Sequence, residues 1–203
     1  MRPGTADLIE ILLIRHSYTR MNEEHRYIGR TDEKLSEKGI SLAMTKKQQI
    51  DEPVFSGPMK RCVETTKNMF PESEIIEIPE WTEIDFGDFE GKYYQELNGN
   101  ADYQSWIDCG GSIAFPNGES REAFIERSMQ GLENMIEYAR GRICKIYAVL
   151  HGGNIMAIMY TLLGGEYFGY QVKPAEGYRL LVDVSEQIKV IEYEEWKCFL
   201  FII

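Results

Sequence analysis

The apolar run Leu8-Ile-Glu-Ile-Leu-Leu-Ile14 leads without a turn residue into Arg15 and His16. A guanidinium presents a planar fork of donors to phosphate oxygens, and an imidazole beside it can serve as base, nucleophile or metal ligand. The pair points to phosphate chemistry. Far downstream a second apolar run, Ile143 to Leu150, ends in His151 and is followed by Gly152 and Gly153. Two of the three histidines in the chain therefore stand at the same kind of position.

Apolar runs of this kind read as buried strands of a parallel sheet, whose C-terminal edge is where ligands bind in open α/β folds. If the two strands are neighbours, about 4.8 Å apart, both imidazoles can reach one phosphate-sized ligand. A short strand, Pro53 to Ser56, leads through Gly57-Pro58 into a helix that carries Arg61 in its opening turn, with Pro58 suited to the first helical turn. Helical side chains lean toward the N-terminus, so Arg61 either points back to the end of that strand, where free amides also favour an anion, or is a solvated surface arginine. Residues Pro79 to Gly91 hold Glu80, Glu83, Asp85, Asp88 and Glu90 among Trp81 and Phe86. A carboxyl partly desolvated by aromatic neighbours has a raised pKa and suits a general acid. Spacing does not single out one of these carboxylates.

The rest of the chain supplies the frame. Ser17 to Leu35 is polar and reads as a functional loop, and Ser36 caps a helix carrying Gly39, Ile40, Leu42, Ala43 and Met44. Glu74 to Ile78 reads as an outer strand. Residues 92–118, with Tyr94, Leu97, Tyr103, Trp106 and Ile107, form an excursion above the sheet, whose aromatics either line a pocket or make a satellite core. Ser120 to Ala139 is an amphipathic helix with Phe124, Ile125, Met129, Leu132, Met135 and Ile136 inward, and Asn154 to Leu163 is a helix closed by Gly164-Gly165. Tyr178 to Val184 and Lys189 to Tyr193 read as an antiparallel hairpin. This alternation predicts an α/β fold: a three-layer α/β/α sandwich with a mostly parallel central sheet and an antiparallel C-terminal hairpin, in a single domain over 1–203.

Composition narrows the partners. With 203 residues, 43% hydrophobic and 27% charged, the chain has the balance of a soluble globular protein. A formal net charge of -11 argues against nucleic acid or an anionic membrane as the main partner, so cations for a phosphate must be gathered locally from Arg15, Arg20, Arg26, Arg30 and Arg61. Cys62, Cys109, Cys144 and Cys198 show no Cys-x-x-Cys spacing, which indicates neither a zinc site nor a disulfide framework and fits reduced thiols in the cytoplasm. Met1 to Asp7 lacks an apolar leader, and the apolar tail Phe199 to Ile203 is too short to span a bilayer. That tail is expected to pack against the body or a second subunit, which allows a homodimer.

Taken together, these blocks resemble the histidine phosphatase superfamily, which includes the cofactor-dependent phosphoglycerate mutases. Arg15-His16, Thr19 and Asn22 are similar to its opening signature, Arg-His-Gly-Glu-Thr-x-x-Asn, and Gly29, Asp32, Leu35, Ser36 and Gly39 to the block that follows. Ser56, Pro58, Arg61 and Thr65 match Ser-x-Pro-x-x-Arg-x-x-x-Thr. Glu83 to Gly91 resembles Glu-x-x-x-Gly-x-x-Glu-Gly, and Gly118-Glu119-Ser120 with Arg127, then His151-Gly152-Gly153, complete the series. The resemblance runs from Leu8 to about Leu163. Ser17 and Tyr18 depart from it, standing where the family has Gly and an acidic residue. Ser17 can crowd the loop or supply a hydroxyl donor of its own. Among compact members, Glu83 to Gly91, Trp106-Ile107-Asp108 and Phe115 to Ser120 look most like the α-ribazole-5'-phosphate phosphatases of cobalamin synthesis.

The resemblance implies a metal-independent, cofactor-free phosphomonoesterase acting on a small phosphate ester. His16 would attack phosphorus to form a phosphohistidine, and Arg15, Arg61 and His151 would hold the equatorial oxygens. Asn22 would add a hydrogen bond, with Ser17, Gly29 and Gly152 also in the substrate-binding set. Glu83 would protonate the leaving alkoxide and then activate water. The alternatives are a phosphoglycerate mutase, for whose closing segments the chain has little room, and a non-catalytic phospho-ligand module. A metal site on His16 and His151 would lack a carboxylate or cysteine at ligand spacing.

Overall fold

A computed structural model of the protein describes residues 7–197. Cys198 and the apolar tail Phe199 to Ile203, like the first six residues, lie outside the described residues. The elements run β1 (Leu8–Arg15), α1 (Arg20–Glu23), α2 (Glu37–Thr45), β2 (Val54–Ser56), α3 (Lys60–Met69), β3 (Ile75–Glu77), α4 (Ala101–Asp108), α5 (Arg121–Ala139), β4 (Lys145–Leu150), α6 (Gly152–Leu163), β5 (Gly177–Asp183) and β6 (Lys189–Trp196). One six-stranded sheet has the order β3-β2-β4-β1-β5-β6. The first four strands of that order are mutually parallel, and β5 and β6 form the antiparallel hairpin, joined to the rest through β1.

Successive residues of a strand face opposite sides, so a sheet covered on both faces needs apolar residues at every position. Ile9, Ile11 and Leu13 of β1, with Ile146, Ala148 and Leu150 of β4, pack against Leu132, Met135 and Ile136 of α5 and Ile155, Ile158 and Met159 of α6. Leu12 and Ile14, with Val54, Tyr147 and Val149, pack on the other side with Ala43 of α2 and Cys62 and Met69 of α3. Burying apolar surface on both faces is the main force that fixes the sheet. A third cluster, around Phe89, Leu97, Phe115 and Phe124, holds the excursion over one end of the sheet.

Three helix starts differ from those the sequence predicts. The loop after β1 contains α1, held by a reciprocal cap in which the Thr19 hydroxyl accepts from the Asn22 amide and the Asn22 side chain accepts from the Thr19 amide. A single turn carries no apolar stripe, so periodicity misses it. Pro58 lies outside the first turn of α3, which starts at Lys60 with Met59 in the N-cap position and no side-chain cap. Helix α6 begins at Gly152 rather than Asn154, because His151 takes the extended cap conformation and the two glycines, poor helix formers, turn directly off the strand. Ile40 and Met44 of α2 are exposed, at 37% and 57%. Among the described residues, no helix is long and apolar enough to cross a membrane.

Candidate active site

Parallel pairing of β1 with β4 sets Arg15 beside Leu150, so the residues that follow, His16 and His151, emerge together at one sheet edge. The His16 amide donates to the Leu150 carbonyl (2.9 Å), and on the far side of β4 the Gly57 amide donates to the Val149 carbonyl (2.9 Å). The two imidazole centroids are 5.1 Å apart with the rings at 68°. Arg61 reaches back from the first turn of α3 and donates from Nε to His151 Nδ1 at 3.2 Å. It is fully buried, which removes the solvated alternative.

Each group is held from behind. His16 Nδ1 lies 2.7 Å from the Ser17 carbonyl, which fixes the ring proton on Nδ1 and leaves a lone pair on Nε2. Arg61 also donates to the carbonyls of Thr31 (2.7 Å) and Gly29 (2.9 Å). Arg15 donates from one terminal nitrogen to the Val172 carbonyl (2.8 Å), while its buried Nε has no partner. A buried guanidinium donor left open in this way calls for an anion. Glu83, 8% exposed, accepts from its neighbour's amide at Ile84 (2.9 Å) and from the Gly153 amide in the first turn of α6 (3.2 Å). A Cβ at Gly153 would lie 2.1 Å from Glu83 Oε1, so only glycine admits the carboxyl there.

Electrostatics follow from this packing. Burial first, then the charges of Arg61 and Arg15, hold His16 well below the usual imidazole pKa, against a smaller opposing effect of the Ser17 carbonyl. Burial and the same arginines, with His16, do likewise for His151. Both rings are thereby biased toward the neutral form. Glu83 is pushed the other way: burial raises its pKa, and its two amide donors and the arginines only partly offset that. The site thus pairs neutral imidazoles with a carboxyl biased toward its acid form.

A cavity of about 350 Å³ reaches this edge, and Arg15, Glu83, Gly152 and Gly153 are among the residues that line it. Neither imidazole is among its lining residues, His16 having 3% exposure and His151 none. Of the residues expected from sequence, Arg15, His16, Arg61, Glu83, His151 and Gly152 are brought together. Three others, Ser17, Asn22 and Gly29, hold the loop that follows β1. The Ser17 hydroxyl is buried and donates to the Gly39 carbonyl (2.8 Å), so it does not face a ligand. The Asn22 side-chain oxygen caps α1. Gly29 positions Arg61 through its carbonyl, its amide is held by Glu90 (3.0 Å), and a Cβ there would lie 2.0 Å from the Ile84 carbonyl.

Sequence reasoning gave no role to several residues that matter. Arg127 donates to the carbonyls of Glu80 (2.6 Å), Thr82 (2.6 Å) and Glu83 (3.0 Å) while paired with Glu119 (2.7 Å), and so straps the acidic loop to α5. Cys62 Sγ sits 3.4 Å from His151 Nε2, and burial pushes its thiol well above the usual range. The turn at Tyr167–Tyr170 and Val172 complete the pocket wall. Only Arg127 carried a signal, as part of a family block; the others depend on contacts far apart in sequence. Among the described residues, no group of three or more histidine, cysteine or acidic side chains could hold a metal ion.

Comparison with known proteins agrees with this geometry. The chain is 28% identical over 165 residues to a metal-independent phosphoserine phosphatase of Arabidopsis thaliana, covering 75% of this chain and 68% of the relative. It is 24% identical over 164 residues to the adenosylcobalamin/alpha-ribazole phosphatase of Escherichia coli (strain K12), covering 77% and 80%. The crystal structure of a phosphoglycerate mutase from Thermus thermophilus superposes with a TM-score of 0.69 at 26% identity, covering 94% of this chain and 100% of that one. The model of the histidine phosphatase superfamily (branch 1) matches residues 11–184, and the chain belongs to that superfamily.

Proposed function

We propose that this phosphatase of the histidine phosphatase superfamily hydrolyses a small phosphate monoester through a phosphohistidine at His16. The observation that carries the reading is the His16 ring itself, neutral, with Nδ1 held on the Ser17 carbonyl and Nε2 left as the nucleophilic lone pair, beside the unpaired Nε of Arg15. Nε2 attacks phosphorus in line with the departing alcohol. Arg15, Arg61, His151 and the Gly152 end of α6 neutralise and position the phosphoryl oxygens, which is most of what phosphoryl transfer asks of a protein. Because Arg61 donates to His151 Nδ1, the proton of that ring resides on Nε2, 3.4 Å from Cys62 Sγ. Glu83 donates its proton to the leaving alkoxide and afterwards takes one from water. The arriving phosphoryl group displaces the Glu83 carboxyl from the Gly153 amide, freeing it for this work.

The substrate is a small-molecule monoester, and α-ribazole-5'-phosphate is the candidate that the motifs of the acidic loop and excursion favour. Rapid-quench reaction with radiolabelled phosphate ester should trap an acid-labile, alkali-stable phosphoprotein that is absent from His16→Asn. Stoichiometric release of phosphate without a bisphosphate primer separates hydrolysis from mutase action. No trapped species with sustained turnover would overturn the mechanism.

A further inference from the structure

Besides Arg15 and Glu83 the cavity is walled by six aromatic rings from separate parts of the chain: Tyr27, Phe86, Trp106, Phe115, Tyr167 and Phe168. Phe86 meets Phe115 at 5.0 Å and 71°, and Trp106 lies nearly parallel to Phe115, 5.0 Å away at 29°. Such a cluster could be core alone, yet its inner members Phe89, Leu97 and Phe124 are already buried beneath. Tyr27, Phe86, Trp106 and Tyr167 are only partly buried, and Phe168 is 44% exposed. The excursion and the turn after α6 meet over the cavity at Gly111, where a Cβ would lie 3.0 Å from the Trp106 ring and 3.4 Å from Phe168.

Beyond Arg15 and Glu83, the charged residue in this wall is Arg121. Its guanidinium lies 5.2 Å over the Tyr167 ring and donates to the Gly110 carbonyl, so it extends the stacked surface. A carboxylate on the carbon skeleton of the ester would be desolvated among rings and beside Glu83, with a single cation in that part of the wall, Arg121, which is already engaged with the Tyr167 ring and the Gly110 carbonyl. A planar ring would meet matching faces on several sides.

We infer that the aromatic part of the pocket is a subsite for a planar unsaturated ring in the alcohol part of the phosphate ester. This class specificity rests on the phosphatase reading above, with Trp106 and Phe168 as its walls. Phenethyl phosphate and butyl phosphate have similar alkyl leaving groups and differ in the ring. The ring ester should show a kcat/KM at least about tenfold higher, carried by KM, and Trp106→Leu and Phe168→Ala should each shrink that ratio. The corresponding phosphonates, bound in calorimetry, should show the same preference without any turnover. Ring preference in binding with no hydrolysis of any ester would remove the phosphatase reading and keep the subsite. Equal affinity for the two phosphonates would overturn the subsite, as would phosphoserine surpassing phenethyl phosphate through a dependence on Arg121 seen in Arg121→Gln.

Discussion

Arg61 Nε lies 3.2 Å from His151 Nδ1, with both side chains fully buried. A donor at Nδ1 fixes the lone pair there and the ring proton on Nε2, and protonating the ring would press two cations together without water. The contact therefore sets both the tautomer and the charge of His151. Lysine at position 61 would supply a point charge but not the fork that also reaches the Gly29 and Thr31 carbonyls. Arg61→Lys is expected to lower kcat/KM by about 10²–10³, the typical loss on removing one preorganised donor. Nitrogen-15 NMR of the ring should show a mixture of His151 tautomers in the variant and a single one in the parent.

The same burial makes stability depend on pH. An imidazole whose folded pKa is depressed stays neutral while the unfolded chain takes up a proton, so stability is full above the unfolded value near 6.5 and is lost as pH falls below it. His16 and His151 act in the same direction, each with a limiting slope of about 1.4 kcal/mol per pH unit. Thermal unfolding followed from pH 8 down to 5.5 should show a falling Tm, and His151→Asn should flatten the slope. An unchanged slope in that variant would refute the buried neutral ring.

Ser17 stands where the family carries glycine, and its hydroxyl is spent on the Gly39 carbonyl rather than on a ligand. Ser17→Ala should therefore cost about 1 kcal/mol of stability. It should leave KM for phosphate esters unchanged. A several-fold rise in KM, measured by steady-state phosphate release, would return the hydroxyl to the binding set.

What could be read before the fold was known follows from how local each signal is. The strands that deliver His16 and His151 announce themselves as apolar runs, and parallel pairing of β1 with β4 is the simplest way to use them. Ser17, Asn22 and Gly29 lie within the opening blocks, and each also holds the loop: the Ser17 hydroxyl on the Gly39 carbonyl, the Asn22 side-chain oxygen on the Thr19 amide, and the Gly29 carbonyl on Arg61. Position in a motif marks a neighbourhood, and the direction of a side chain is decided by partners such as Gly39 and Arg61 that are remote in sequence. The wall contributed by Tyr167 and Phe168 had no signal at all, since a short turn after α6 has neither period nor charge pattern.

Arg127 offers a way to move Glu83 without touching it. It holds the carbonyls of Glu80, Thr82 and Glu83 and is itself oriented by Glu119. Arg127→Gln should cost about 2–3 kcal/mol of stability through lost charged hydrogen bonds. It should also depress turnover of alkyl phosphates more than that of aryl phosphates, because a misplaced acid matters only where the leaving group needs a proton. Equal losses on both would make Arg127 a purely structural strap.

Glu83 itself gives the sharpest kinetic signature. Burial raises its pKa, so the acid form persists above the ordinary carboxylate range and disappears as pH rises through the shifted value. His16 must be neutral, and its depressed pKa places that requirement on the acid side. Turnover of alkyl phosphates, when the first chemical step limits the rate, should therefore be bell-shaped in pH, with Glu83 on the alkaline limb and His16 on the acid limb. Aryl phosphates, whose leaving groups depart as anions, should keep the acid limb and lose the alkaline one. Glu83→Gln should remove the alkaline limb for alkyl esters and lower their rate by about 10²–10⁴. Its effect on formation of the phosphoenzyme from aryl esters, read as the burst of phenol in stopped flow, should be far smaller. A burst slowed to the same degree for both ester classes would show that Glu83 acts on phosphate binding and not on the proton.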